Sequence, residues 1–197
     1  MIFLFVPPGL VVQESPSDKT LHMVLEALEG IPEALTDHKP ARLPKAKAEG
    51  INLWIRHRAS LEKSVGADAC KDISAIFERL RDAKGAQAAE LALDISERLA
   101  KSEKRGRSAQ LGAVDRACQR AWVRVDSERW SEIPDLVAAF APFVDSDHGT
   151  HPKAVQSSLQ NLKLWAQATA TKDKVKAQRA AEALLECVDG FESLEKP

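Results

Sequence analysis

Asp145, Asp147, His148 and His151 fall in the stretch DSDHGTH, the densest set of metal-capable side chains in the chain. Carboxylate oxygens and imidazole nitrogens suit a divalent ion, and His148 and His151 can reach one ion if the loop curls. No third histidine stands nearby, and the same residues have ordinary uses. Asp147 or Thr150 can cap the helix that follows, Gly149 can turn the chain, and Pro152 fits a first helical turn. His22, His38 and His57 stand alone, without a serine, cysteine or acid at nucleophile spacing. Neither G-x-G-x-x-G nor a P-loop pattern occurs. The reading assigns no catalytic residue and no cofactor, and the chain is expected to be a non-enzyme.

A second arrangement concerns charge. Arg116, Arg120 and Arg124 recur every four residues, on the side of a helix away from Leu111, Val114, Cys118, Trp122 and Val125. Guanidinium groups offer planar, multi-donor contacts to phosphate, and a row of them at helical spacing can track a polyanion backbone. Arg98, Lys101, Lys104, Arg105 and Arg107 lie just upstream, the last three around Gly106. Together these eight residues form the expected nucleic-acid or polyanion contact. The competing reading is a solvated face whose charges pair with the protein's own acidic ends. No helix-turn-helix, zinc-finger or RNP-type pattern accompanies the patch, so sequence-specific readout has no support.

The elements that must position these groups are helical. Leu21, Val24, Leu25, Leu28 and Ile31 follow the i, i+3, i+4, i+7 rule, and Pro32 is expected to kink or end that helix. Residues 37–44, with Pro40 and Pro44, read as a linker. Ile51, Trp54, Ile55, Leu61 and Val65 mark the next helix. Ile73, Ile76, Phe77 and Leu80 mark another, which Gly85 closes. Leu91, Ile95 and Leu99 follow, and then the stripe from Leu111 to Val125. Pro134 and Pro142 bracket a short apolar piece, Leu136 to Phe140. Val155, Leu159, Leu162 and Ala166 define one later face, and Ala177, Ala181, Leu184, Val188 and Phe191 the last. No fixed-period repeat emerges. The fold class expected is all-α: an irregular multi-helix bundle spanning 15–197 as a single helical domain, preceded by an apolar extended N-terminal segment, 1–14.

Composition agrees with that class and bounds the function. Over 197 residues, 44% are hydrophobic and 29% charged, tyrosine is absent and glycine numbers only 9, a balance of good helix formers. Residues 1–38 hold one Lys against six acids (net −5), residues 39–124 nineteen Lys and Arg against eleven (net +8), and residues 125–197 eight against twelve (net −4). Cys70, Cys118 and Cys187 are widely spaced and odd in number, as expected of buried free thiols in a reducing, cytoplasmic compartment. No apolar run is long enough to span a membrane, and no small-molecule substrate is indicated.

Ile2, Phe3, Leu4, Phe5 and Val6 are too apolar to remain in water, so the bundle or a partner is expected to cover them. Trp130, in a polar stretch after Arg129, joins them as a candidate protein-docking residue. The function expected is a non-enzymatic helical subunit of a larger assembly, its basic middle lying on a nucleic-acid backbone without sequence specificity. The alternative is a protein-binding regulator, such as an immunity, inhibitor or adaptor protein, and a metal-binding helical protein stands third.

Overall fold

A computed structural model describes residues 16–102, 107–147 and 151–193. Eight α-helices account for most of them: α1 (Pro16–Thr36), α2 (Leu43–Val65), α3 (Ala67–Asp82), α4 (Gly85–Ala100), α5 (Arg107–Asp126), α6 (Leu136–Asp147), α7 (Pro152–Ala170) and α8 (Lys174–Ser193). Short 3₁₀ turns at Pro40–Arg42 and Trp130–Glu132 complete the regular structure, and no strand occurs among the described residues. The chain is therefore an all-α, multi-helix bundle, 89% helical over the part described. Ile2 to Val6, Lys104, Arg105 and His148 lie outside that part.

Two apolar clusters meet along a seam. The first is built by α1 to α4 around Leu28, Ile31, Trp54, Leu61, Ile73 and Leu80, with Trp54 and Phe77 stacked at 5.1 Å. The second is built by α5 to α8 around Leu111, Cys118, Trp122, Phe140, Leu184 and Phe191. Adjacent alanines on α4 divide between them: Ala88 belongs to the first cluster and Ala89 to the second. Helix α5 is the most surrounded element, packing on α1, α4, α6 and α8. In the first half α1 and α2 approach closely where Gly50 sits; a Cβ there would already touch Leu28 at 3.5 Å.

Neither helix-internal proline ends its helix. Pro32 and Pro142 lie within α1 and α6, which continue to Thr36 and Asp147. In each case core side chains flank the proline, Ile31 and Ala34 in α1, Phe140 and Phe143 in α6. Their burial offsets a missing backbone bond that costs about 3 kcal/mol in an isolated helix. Gly85 does not close α3; it opens α4 with φ +48°, while α3 ends at an extended Ala83. Ile55 and Leu159, assigned to apolar faces by their spacing, are about half exposed. The buried face of α7 is instead Val155, Ser158, Leu162, Trp165 and Ala168. Cys70, Cys118 and Cys187 are buried and unbonded, as expected.

Three helices end the same way, and none of them uses glycine. After α1, Lys39 N–H donates to Ala34 O and His38 N–H to Leu35 O; after α5, Arg129 to Arg124 O and Glu128 to Val125 O; after α7, Asp173 to Ala168 O and Lys172 to Thr169 O. These paired 6→1 and 5→2 bonds place His38, Glu128 and Lys172 in the left-handed region, with φ of 56°, 58° and 52°. A side chain there costs about 1 kcal/mol relative to glycine. His38 has compensation: its Nε2 lies 3.2 Å from Glu182 Oε1, and its ring meets Trp122 edge-on at 6.0 Å. Glu128 is exposed. Glu128→Gly should therefore raise unfolding stability by about 0.5–1 kcal/mol, read as an increased urea midpoint at unchanged slope.

Candidate functional site

The row Arg116, Arg120 and Arg124 forms as spaced, but it faces inward. Arg116 and Arg120 are buried at 5% and 7% exposure, and the Arg124 side chain is mostly covered. Helix α5 is central, so the face opposite its apolar stripe lies on α4 and α1 rather than on water. The expectation of an exposed basic face is thus corrected. So is the location of its counter-charges, since most come from α4, inside the basic middle of the chain, and not from the acidic ends.

The α4 acids are Glu90, Asp94 and Glu97, at i, i+4 and i+7, which one helix face presents as a ridge. Arg120 sits against all three: Nη1 donates to Glu90 Oε2 at 2.6 Å and Asp94 Oδ1 at 3.0 Å, and Nε to Glu97 Oε1 at 3.1 Å. Arg124 Nε donates to Glu90 Oε1 at 3.1 Å, and Arg129 Nη2 to the same oxygen. Arg124 also reaches Glu132 O. Burial alone would lower the Arg120 pKa, but Glu97, Glu90 and Asp94 outweigh it and raise it. These arginines are consumed by internal partners.

Arg116 belongs to a different environment, where α1, α5 and α8 converge. Burial pushes Glu29 up to about 7, with Arg116 opposing. Burial also pushes Asp115 up to about 8, with Glu29, Glu33, Asp189 and Glu192 adding to the rise. Gly112 gives Arg116 its path: a Cβ at Gly112 would sit 3.2 Å from Arg116 Nη1. Burial, then the nearby Asp115 and Cys187, raise the Cys118 thiol well above its usual range and hold it protonated.

The other sequence-expected residues are dispersed. Arg98 is exposed, 3.7 Å from Asp72 on α3, and Lys101 is exposed in the turn after α4. Arg107 opens α5. Trp130 is half-buried, packed against the second core. Asp145 is exposed on α6 and Asp147 ends that helix, while His151 precedes α7 without a side-chain capping bond and Pro152 takes the first turn. Among the described residues no group of three or more His, Cys, Asp or Glu side chains is placed to hold a metal ion.

What sequence reasoning missed is a groove along the outer side of the α7/α8 pair. Its larger part, about 530 Å³, has Leu164 and Ala168 of α7 on one wall and Ala180 and Ala183 of α8 on the other, with Lys176 and Arg179 at one end. A smaller part of about 260 Å³ continues past Asn161 and Ala183 to Ser157, Glu186, Cys187 and Gly190. Asn161 Nδ2 donates to Ala183 O at 3.4 Å and approaches Cys187 Sγ at 3.5 Å, fixing the two helices beneath the groove. Leu164 remains 49% exposed on its wall, and Val175, one turn before Arg179, is 56% exposed. Leu164, which falls off the core face of α7, was its only apolar signal in the sequence.

Against protein-family models, curated proteins and solved structures, the chain shows no significant match.

Two predictions follow from the electrostatics. Arg120→Ala removes the shared partner of the half-exposed Asp94 and Glu97 and one of three arginines on the covered Glu90, and should lower stability by about 2 kcal/mol, measured by urea unfolding; an exposed arginine would cost within about 0.5 kcal/mol. Glu29 and Asp115 have folded pKa values above their unfolded ones, so the folded state holds protons that the unfolded state has released. Their contribution is most favourable below about pH 4 and is lost progressively as pH rises to about 8. Asp115→Asn should flatten this decline in melting temperature and stabilise the protein at pH 8 by on the order of 1–2 kcal/mol.

Proposed function

We propose that this protein is a non-enzymatic interaction module, a helical subunit or adaptor that docks onto another protein through the α7/α8 face. The observation carrying this reading is the apolar groove between α7 and α8, flanked by the half-exposed Leu164. Exposed apolar side chains are ordinary when scattered, but a walled groove between two helices is the shape that receives a partner's helix.

The polyanion reading has lost its central row, because Arg120 and Arg124 already hold Glu90, Asp94 and Glu97. Recruiting them to phosphate would require opening the α4/α5 seam. Among the described residues, the exposed cations left at the end of α4 are Arg98, beside Asp72, and Lys101.

The test compares wild type with Leu164→Lys, a change at a half-exposed site that should leave the melting temperature within about 2 °C. Co-purification from the native host should yield a stoichiometric partner with wild type and lose it with the variant. Anisotropy with a labelled DNA duplex and with single-stranded RNA should show no binding at low salt. Tight binding that falls steeply with salt would restore the nucleic-acid function instead.

A further inference from the structure

The groove is not electrically uniform. At the end near the α7–α8 turn stand Lys176 and Arg179, with Lys172 exposed in the turn itself. Lys176 is 2.7 Å from Asp173, whose Oδ1 also accepts the Lys176 backbone N–H at 3.1 Å, so that acid is committed to the start of α8. Arg179 is exposed and has no ion-pair partner among the described residues. The opposite end carries Glu186, also exposed and without an ion pair among them. Between the two ends Leu164 gives a side chain to pack against and Ala183 is partly open, while Ala168 and Ala180 form a covered floor and Asn161 and Gln167 add polar groups to the lining.

From this arrangement we infer that the groove takes a single amphipathic helix of a partner protein, apolar along one face and acidic at the end lying against Lys176 and Arg179. The inference rests on the docking reading above and adds the partner's chemistry. The geometry suits a helix: the lining residues of α7 from Ala154 to Ala168 span 15 residues, about 21 Å at a rise of 1.5 Å per residue, or roughly four turns. Four turns present apolar anchors at i, i+3 or i+4, and i+7, and the 530 Å³ section has room for a large aliphatic or aromatic anchor among the alanines. Arg179, uncommitted, and Lys176 supply donors for carboxylates at one end. Glu186 disfavours acid at the other, which fixes the helix direction.

The experiment selects 18-residue helical peptides, displayed on phage with both faces randomised, against the full chain. Survivors should carry apolar residues at i, i+3 or i+4, and i+7, with Asp or Glu clustered at one end. By anisotropy, Leu164→Lys should weaken them at least tenfold, and so should the double variant Lys176→Glu/Arg179→Glu. All three positions are exposed, so melting temperatures report that folding is intact. Neutral or basic survivors that respond to Leu164→Lys and ignore the double reversal would overturn the acidic-partner inference and leave the docking reading standing. Survivors that ignore both variants, or a selection without survivors, would overturn both. If a peptide of residues 1–15 of this chain competes with the survivors for the groove, or if Leu164→Lys turns a dimer into a monomer by light scattering, the occupant is the chain itself and the inference fails.

Discussion

Arg120 is the interaction on which the arrangement of the two halves depends. Its guanidinium lies on the seam between the apolar cluster of α1 to α4 and that of α5 to α8, and it draws three carboxylates of one helix toward another. Hydrophobic burial can hold each cluster together but is nearly indifferent to how two smooth helices rotate about each other. Directional bonds from one guanidinium to residues 90, 94 and 97 fix that rotation. Arg124 and Arg129 extend the same clamp, all through Glu90. Glu90, the most covered of the three acids, is shared by all three arginines, while Asp94 and Glu97 stay half in water and, among the described residues, pair with Arg120 alone.

The convergence of α1, α5 and α8 shows the opposite balance. There the acids outnumber the bases: burial raises Glu29, Glu33 and Asp115, the charges of Glu33 and Glu192 add to the rise at Glu29 and those of Glu29, Glu33, Asp189 and Glu192 to the rise at Asp115, and Arg116 is the buried counter-charge that opposes it at Glu29. Protonation is the cheaper solution to such crowding, so the carboxyls at the centre hold protons near neutral pH. One bundle thus contains a matched cluster that gains from ionisation and an unmatched one that loses by it, both served by the same helix. Lysines at helix ends supply a third, milder contribution. Lys47 Nζ caps the end of α3 through Arg81 O and Ala83 O, and Lys174 Nζ reaches Asp126 O at the end of α5.

With α5 enclosed, the recess on the C-terminal hairpin is the groove between α7 and α8. Helices α7 and α8 bury one face each in the second core, Ala168 and Ala180 included, and beside it leave the half-exposed Leu164, the partly open Ala183 and separated charges. No helix among the described residues is long and apolar enough to cross a membrane.

The helices themselves were legible in the sequence. Spacing alone locates the core faces of α1, α3, α5 and α8, because a 3.6-residue period in apolar residues is a local property. It misplaces Leu159 and Ile55, and it stops α1 and α6 at prolines, because tolerance of a proline depends on what the neighbouring side chains bury against. The arginine row was found by the same periodicity and given the wrong environment. Spacing says which residues share a face, and only tertiary packing says whether that face meets water, a partner or another helix. A clue was present in Glu90, Asp94 and Glu97, an acidic ridge whose i, i+4, i+7 spacing nearly matches the i, i+4, i+8 of the arginines. The groove had no comparable signal, since it is made of alanines and one leucine on two helices. A cleft is a property of the distance between helices, and that distance is set by long-range packing rather than by any residue's own preference.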